Sequence, residues 1–153
     1  MLKKGLLLVM LTLAALPGAA LAKSGQKALM LTVFGTSTEA AVTFAELVPL
    51  VQKEFPGRDV VVPYTSGVIR NKLNADISDP ARKILSPAEM LAHLQVEGYT
   101  DIAVLSTLVF PGVENDKLKA TVDEFRAANP KIKVSYTPPL MSDAANLQPA
   151  VNA

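Results

Sequence analysis

Cysteine is absent from the 153 residues, and histidine occurs once, at position 93. Without cysteine there is no disulfide framework and no thiolate for a zinc or iron–sulfur site. A single histidine gives no pair for a histidine-based metal centre. Its place in the chain also puts it too far from the expected strand ends to serve a serine nucleophile as base. Charge of one sign is lacking too: 15 basic side chains stand against 14 acidic ones, for a net +1. No basic block stands out, so neither nucleic acid nor an anionic membrane surface is the expected partner.

What is present begins with a leader. Lys3 and Lys4 precede an apolar run, Gly5 to Leu16, which Pro17-Gly18 breaks, and Ala20-Leu21-Ala22 supplies the small residues of an A-x-A cleavage site. These are the three regions of a secretory signal peptide over residues 1–22, with cleavage expected after Ala22. The alternative, an uncleaved anchor, needs a run of about 20 apolar residues, and this run is shorter. Export would place the protein in the periplasm or outside the cell, with no membrane attachment after cleavage. The remainder, 23–153, suits one domain with a single modest core. With Lys3 and Lys4 gone from the 15 basic residues, acidic ones exceed basic ones by a single charge.

Apolar runs and helical patterns alternate along that remainder. Ala28 to Phe34 is nearly all apolar, the signature of a strand covered on both faces. Gly35-Thr36-Ser37-Thr38 breaks it, and Glu39 to Phe55 follows helical spacing, with Val42, Ala45, Leu47, Val48 and Val51 sharing much of one face. A short strand is expected over 59–63. A short helix should follow over 66–73, with Ser66 as cap and Val68, Ile69 and Leu73 inward. Residues 74–85 read as a loop. Ser86, Pro87 and Glu89 form a capping box opening a helix that runs to Glu97, with Met90, Leu91 and Leu94 packed and His93 toward solvent. A third strand spans 101–110, a helix 115–128 and a fourth strand 132–136. The alternation implies an α/β three-layer sandwich around a four-stranded, mainly parallel sheet. Ligands of such sheets sit beyond the carboxyl ends of the strands. Here those ends are Gly35-Thr36-Ser37, Tyr64-Thr65-Ser66, Pro111 to Glu114, and Pro138 to Ser142.

Several residues on that rim carry chemistry. Gly35, Thr36 and Ser37 end a strand and open a helix, where backbone N–H groups can hold an anion or the hydroxyls can simply cap the helix. The glycines and lysine of a P-loop or dinucleotide fingerprint are missing. Glu114, just after Pro111-Gly112, can ligate a divalent metal or accept a proton, or it can, with Asp116, serve the dipole of the following helix. Arg70 and Lys72 follow Thr65-Ser66 and either meet the carboxylates of an acidic ligand or form the wet face of a short helix. His93 is a solvated side chain, or an axial haem ligand or metal ligand shared between subunits.

The segments "LMLTVFGTS" (29–37), "YTSGVIRNKL" (64–73), "SPAEMLAHLQVEGYTDIAVLS" (86–106), "PGVEND" (111–116) and "PLMS" (139–142) occur in an order and spacing that resembles the anaerobic, cobalt-inserting sirohydrochlorin chelatases, the class II relatives of ferrochelatase. The resemblance covers the amino-terminal half of that two-domain enzyme. It implies an α/β domain with the tetrapyrrole held in a cleft against a second, similar domain, and Co2+ inserted without ATP on the route to cobalamin. It implies that Glu114 is the metal-binding and catalytic glutamate; Gly35, Thr36, Ser37, Thr65, Ser66 and Arg70, on the same strand-end rim, are the residues expected to bind the substrate. The family's two second-half histidines have no counterpart here, and Leu108 stands where its strand-end histidine is usual. A homo-oligomer would restore a two-sided cleft with two copies of Glu114 facing it. The sequence thus points to an exported cobaltochelatase-like protein. The alternatives are a non-catalytic tetrapyrrole, haem or divalent-metal binder, or a truncated remnant of the enzyme.

Overall fold

A computed structural model describes residues 25–142. The leader expected over 1–22 lies outside the described residues, as do residues 143–153 of the expected domain. Among the described residues no helix is long and apolar enough to cross a membrane. The elements are β1 (Gln26–Thr32), α1 (Ala41–Glu54), β2 (Asp59–Val61), α2 (Gly67–Asn74), a 3-10 turn (Pro80–Arg82), α3 (Pro87–Val96), β3 (Tyr99–Ser106), α4 (Val113–Ala128) and β4 (Lys133–Tyr136). The strands lie in the order β2-β1-β3-β4, and every pairing is parallel.

Alternation along β1 divides the core between the two faces of the sheet. Ala28 and Met30, with Ile102 and Val104 of β3, pack against Leu91 and Leu94 of α3 and Leu118 and Val122 of α4. Leu29, Leu31 and Val33 face the other way, onto Phe44, Leu47 and Val51 of α1 and Ile69 and Leu73 of α2. The sheet is therefore the middle of three layers, as the apolar strands require. The capping box on α3 forms as its sequence dictates: Ser86 Oγ accepts from Glu89 N–H, while the Glu89 carboxylate accepts from Ser86 N–H at 2.7 Å.

Three expectations need correction. Val42 and Ala45 are exposed, because the buried stripe of α1 is Phe44, Leu47 and Val51, and Val42 lies about 200° around the helix from Phe44. Val68 is 81% exposed, since Ile69 and Leu73, four apart, take the inward side of α2. The third strand ends at Ser106 rather than Phe110. Hydroxyls interrupt its ladder: Thr137 Oγ1 takes the Ser106 N–H at 3.0 Å, and Ser106 Oγ takes the Leu108 N–H. The apolar residues beyond it, Val109 and Phe110, are consequently surface features.

Candidate functional site at the carboxyl rim

The strand order reverses direction between β1 and β3, so the crevice beyond their carboxyl ends is the topological switch point of the sheet. Phe34 leaves β1 into this crevice, and Leu108, Val109 and Phe110 leave β3 beside it. The chain after β4 is tied to the same place, with Leu140 N–H donating to Leu108 O and Met141 N–H to Val109 O. Thr107 donates through both its N–H and its hydroxyl to Thr32 O, which fixes the two exits to one another. The result is an apolar shelf: Phe34, Val109, Phe110, Val113 and Leu140 are all large and exposed, Phe110 to 67%. A cavity of about 340 Å3 lies on it, lined by Phe34, Leu108, Phe110, Val113, Glu114 and Asn115 among others.

Glu114 stands in the first turn of α4, whose N-cap, Gly112, offers no capping side chain. The carboxylate thus compensates the helix dipole and also faces the rim. Its side chain is 31% exposed and accepts from Lys117 Nζ at 3.3 Å. Asn115, buried behind it, accepts a hydrogen bond from the Tyr136 hydroxyl of β4. Burial raises the Tyr136 phenol above its ordinary pKa, so it keeps the proton that this bond needs. Asp116 is exposed, and its carboxylate accepts from Asn115 Nδ2.

A second cavity, of about 160 Å3, shares Glu114 with the first and is lined also by Thr65, Arg70, Ser86, Ala88 and Lys117. The rim therefore brings together Glu114, Thr65 and Arg70 from the expected set. Ser66 is buried as the N-cap of α2, its hydroxyl accepting from Ile69 N–H. Gly35, at φ +96°, packs so closely on the Tyr64 ring that a Cβ there would lie 2.2 Å from Cδ2. Thr36 Oγ1 is engaged with Thr38 through its hydroxyl and N–H. Gly35, Thr36 and Ser37 line neither cavity at Glu114. His93 is exposed in the last turn of α3, which leads into the start of β3, so it sits at the opposite end of the sheet from Glu114. Among the described residues no three His, Cys, Asp or Glu side chains converge as a metal site.

Two features escaped the sequence reading. Lys117 was legible as an i, i+3 partner of Glu114 on a helix. The Tyr136–Asn115 bond had no local signal, because its partners lie 21 residues apart.

Comparison with known proteins bears on the family and the fold. The family model described as cobalt chelatase (CbiK) matches residues 27–148. A curated relative, sirohydrochlorin cobaltochelatase CbiKC of Nitratidesulfovibrio vulgaris, is 27% identical over 124 residues, which cover 80% of this chain and 43% of the relative. The chain thus spans less than half the length of that protein. Among solved structures, a putative cobalamin (vitamin B12) biosynthesis CbiX protein from Marinobacter aquaeolei VT8 superposes with a TM-score of 0.51 at 13% identity, covering 82% of this chain and 88% of that one. That likeness bears on the fold alone. The family match spans most of the chain, and the chain belongs to the cobalt chelatase (CbiK) family.

Proposed function

We propose that this chain is an exported sirohydrochlorin cobaltochelatase-type protein, acting as a homo-oligomer, with Co2+ and the tetrapyrrole as its substrates. The observation that carries the reading is the setting of Glu114, which lines a cavity on an apolar shelf at the switch point of the sheet. A flat macrocycle needs apolar contact on its face and a polar group near its centre, and Phe34, Phe110 and Glu114 supply that combination. Chelation breaks two pyrrole N–H bonds as the metal–nitrogen bonds form, and the two protons leave to a base or to water. Glu114 would deliver the ion through an oxygen ligand and then accept a proton as the ion moves to the ring nitrogens.

A single protomer offers that one carboxylate and, at Leu108, an apolar side chain beside it. Oxygen ligands alone hold cobalt less firmly than imidazole does. A second copy placing its own Glu114 across the cleft would double the donors. The lack of a convergent ligand set among the described residues favours a second reading, in which the domain binds the tetrapyrrole without turning it over. One assay separates them: sirohydrochlorin and Co2+ are mixed with the protein and followed by absorption. Insertion above the protein-free rate supports the enzyme, bound but unmetallated pigment supports the carrier, and unbound pigment removes both.

Haem ligation through His93 is a separate proposal. His93 lines neither cavity at Glu114, so a haem ligated by it would lie away from those two cavities. A haem Soret band unchanged in His93→Ala would remove it.

A further inference from the structure

We propose that the smaller cavity, at the rim of the sheet where the N-terminal parts of α2, α3 and α4 converge, is a carboxylate subsite that seats one acidic side arm of the tetrapyrrole and draws Lys117 away from Glu114. This rests on the tetrapyrrole reading above and adds how the ring is oriented and what frees the metal ligand. Size decides between a whole ligand and a part of one. Small-molecule pockets run to about 300–1,000 Å3, and this one holds about 160 Å3. At roughly 30 Å3 per water-sized group, that is room for about five heavy atoms, the size of a propionate arm.

The walls supply the matching donors. Arg70 Nη1 donates to Thr65 O at 2.8 Å and also to Tyr64 O, which fixes the guanidinium and leaves its other N–H groups for a ligand. Among the described residues Arg70 forms no ion pair. Lys117 is the second cation, 69% exposed and paired with Glu114 at 3.3 Å. At the start of α3, Pro87 has no N–H and Ser86 Oγ takes that of Glu89, so the Ala88 N–H is left without a partner among the described residues. Among the described residues Thr65 Oγ1 is buried without a hydrogen-bond partner, which a group entering beside it would relieve.

Glu114 forms a wall of this cavity as well as of the shelf, and that couples the two. With the subsite empty, the Lys117 ammonium neutralises the carboxylate and opposes an incoming dication. An acidic arm in the subsite gives the ammonium a competing partner, and the released carboxylate faces the ring with its charge available. An exposed ion pair is weak enough for such an exchange. Metal at Glu114 in turn cancels the negative charge that opposes the arm, so each ligand favours the other.

The test uses the full chain and titrates sirohydrochlorin and its neutral methyl ester, in the same detergent buffer, into the wild type, Arg70→Met, Arg70→Lys and Lys117→Met. The free acid should bind Arg70→Met and Lys117→Met about ten-fold more weakly, the scale of one lost charge-assisted hydrogen bond. Arg70→Lys should recover part of the loss, and the ester should bind all four alike. Lys117→Met lies on the surface and serves where Arg70→Met fails to fold. Titrated with Co2+ alone, it should bind the metal more tightly than the wild type, opposite in sign to its effect on the macrocycle. If the wild type binds the free acid and the variants bind it equally well, the subsite is wrong while the tetrapyrrole reading stands. If the wild type binds neither form, the tetrapyrrole reading itself falls.

Discussion

Lys117 Nζ lies 3.3 Å from Glu114 Oε1, less than one turn along α4. The carboxylate best placed to receive a metal is thus already paired with a cation from its own helix. Both partners are partly exposed, and such pairs contribute less than about 1 kcal/mol. Glu114 is therefore held in place without being locked. Removing its charge should leave the fold intact: Glu114→Gln should keep an unfolding free energy, measured in urea, within about 0.5 kcal/mol of the wild type, as for other surface substitutions. The same variant should lose any protein-dependent cobalt insertion. Loss of folding would show instead that Glu114 has a structural task.

Gly35 and Tyr64 make a contact with no room to spare. Gly35→Ala places a Cβ 2.2 Å from Tyr64 Cδ2 and forces a side chain onto φ +96°. Strain and overpacking together should cost at least about 2 kcal/mol, read as a drop in the urea midpoint. Tyr64→Ala leaves a cavity where the ring met Phe44 edge-on. The double variant should be less destabilised than the sum of the singles, because the clash requires both. Simple additivity would contradict this account of the contact.

Tyr136 anchors the turn that carries Glu114. Tyr136→Phe removes the hydroxyl donating to Asn115 and strands a buried acceptor, which should destabilise the protein by about 1–3 kcal/mol. Denaturant unfolding measures this. A variant as stable as the wild type would mean that the bond contributes nothing to holding α4 against β4.

Stability should fall at both ends of the pH scale. The Arg58 guanidinium, 3.0 Å from Asp101, holds that carboxyl below its usual range, and the Ser86 hydroxyl and N–H do the same for Glu89. Their stabilisation is present above the unfolded-state values and is lost as the pH falls below about 4. Asp101→Asn should flatten this acid limb. Tyr99 donates to Asp59, and that bond pushes its phenol up to about 12. Its contribution is complete below the ordinary value of 10.0 and is lost as the pH rises from there through about 12. Urea midpoints measured across the range, with Tyr99→Phe as the control for the alkaline limb, check both.

The fold was legible in the sequence because its strongest signals are local. The apolar run at Ala28 to Phe34 and the capping box at Ser86 to Glu89 each dictate an element or its start without help from distant residues. The errors arose where tertiary context decides. Leu108 to Phe110 read as strand by apolarity, yet Thr137, 31 residues after Ser106, ends the ladder and turns that apolarity into a surface. Val42 and Val68 fit an apolar pattern but fall off the stripe that meets the sheet. At the site, Glu114 was marked by its place after the strand exit, and Arg70 by its distance from Thr65. Which rim residues share a cavity could not be read, because Thr65, Ser86 and Glu114 lie far apart in the chain and meet only where the fold brings the starts of α2, α3 and α4 to one rim of the sheet.

The position of the metal tests the central claim most directly. Crystals of the protein soaked with Co2+ and sirohydrochlorin, recorded at the cobalt absorption edge, should show anomalous density at the carboxyl rim, about 2.0–2.2 Å from a Glu114 carboxylate oxygen or between it and the ring nitrogens. Glu114→Gln crystals treated alike should lack the carboxylate-bound peak. Cobalt bound at His93, or at the rim equally well without Glu114, would contradict the account.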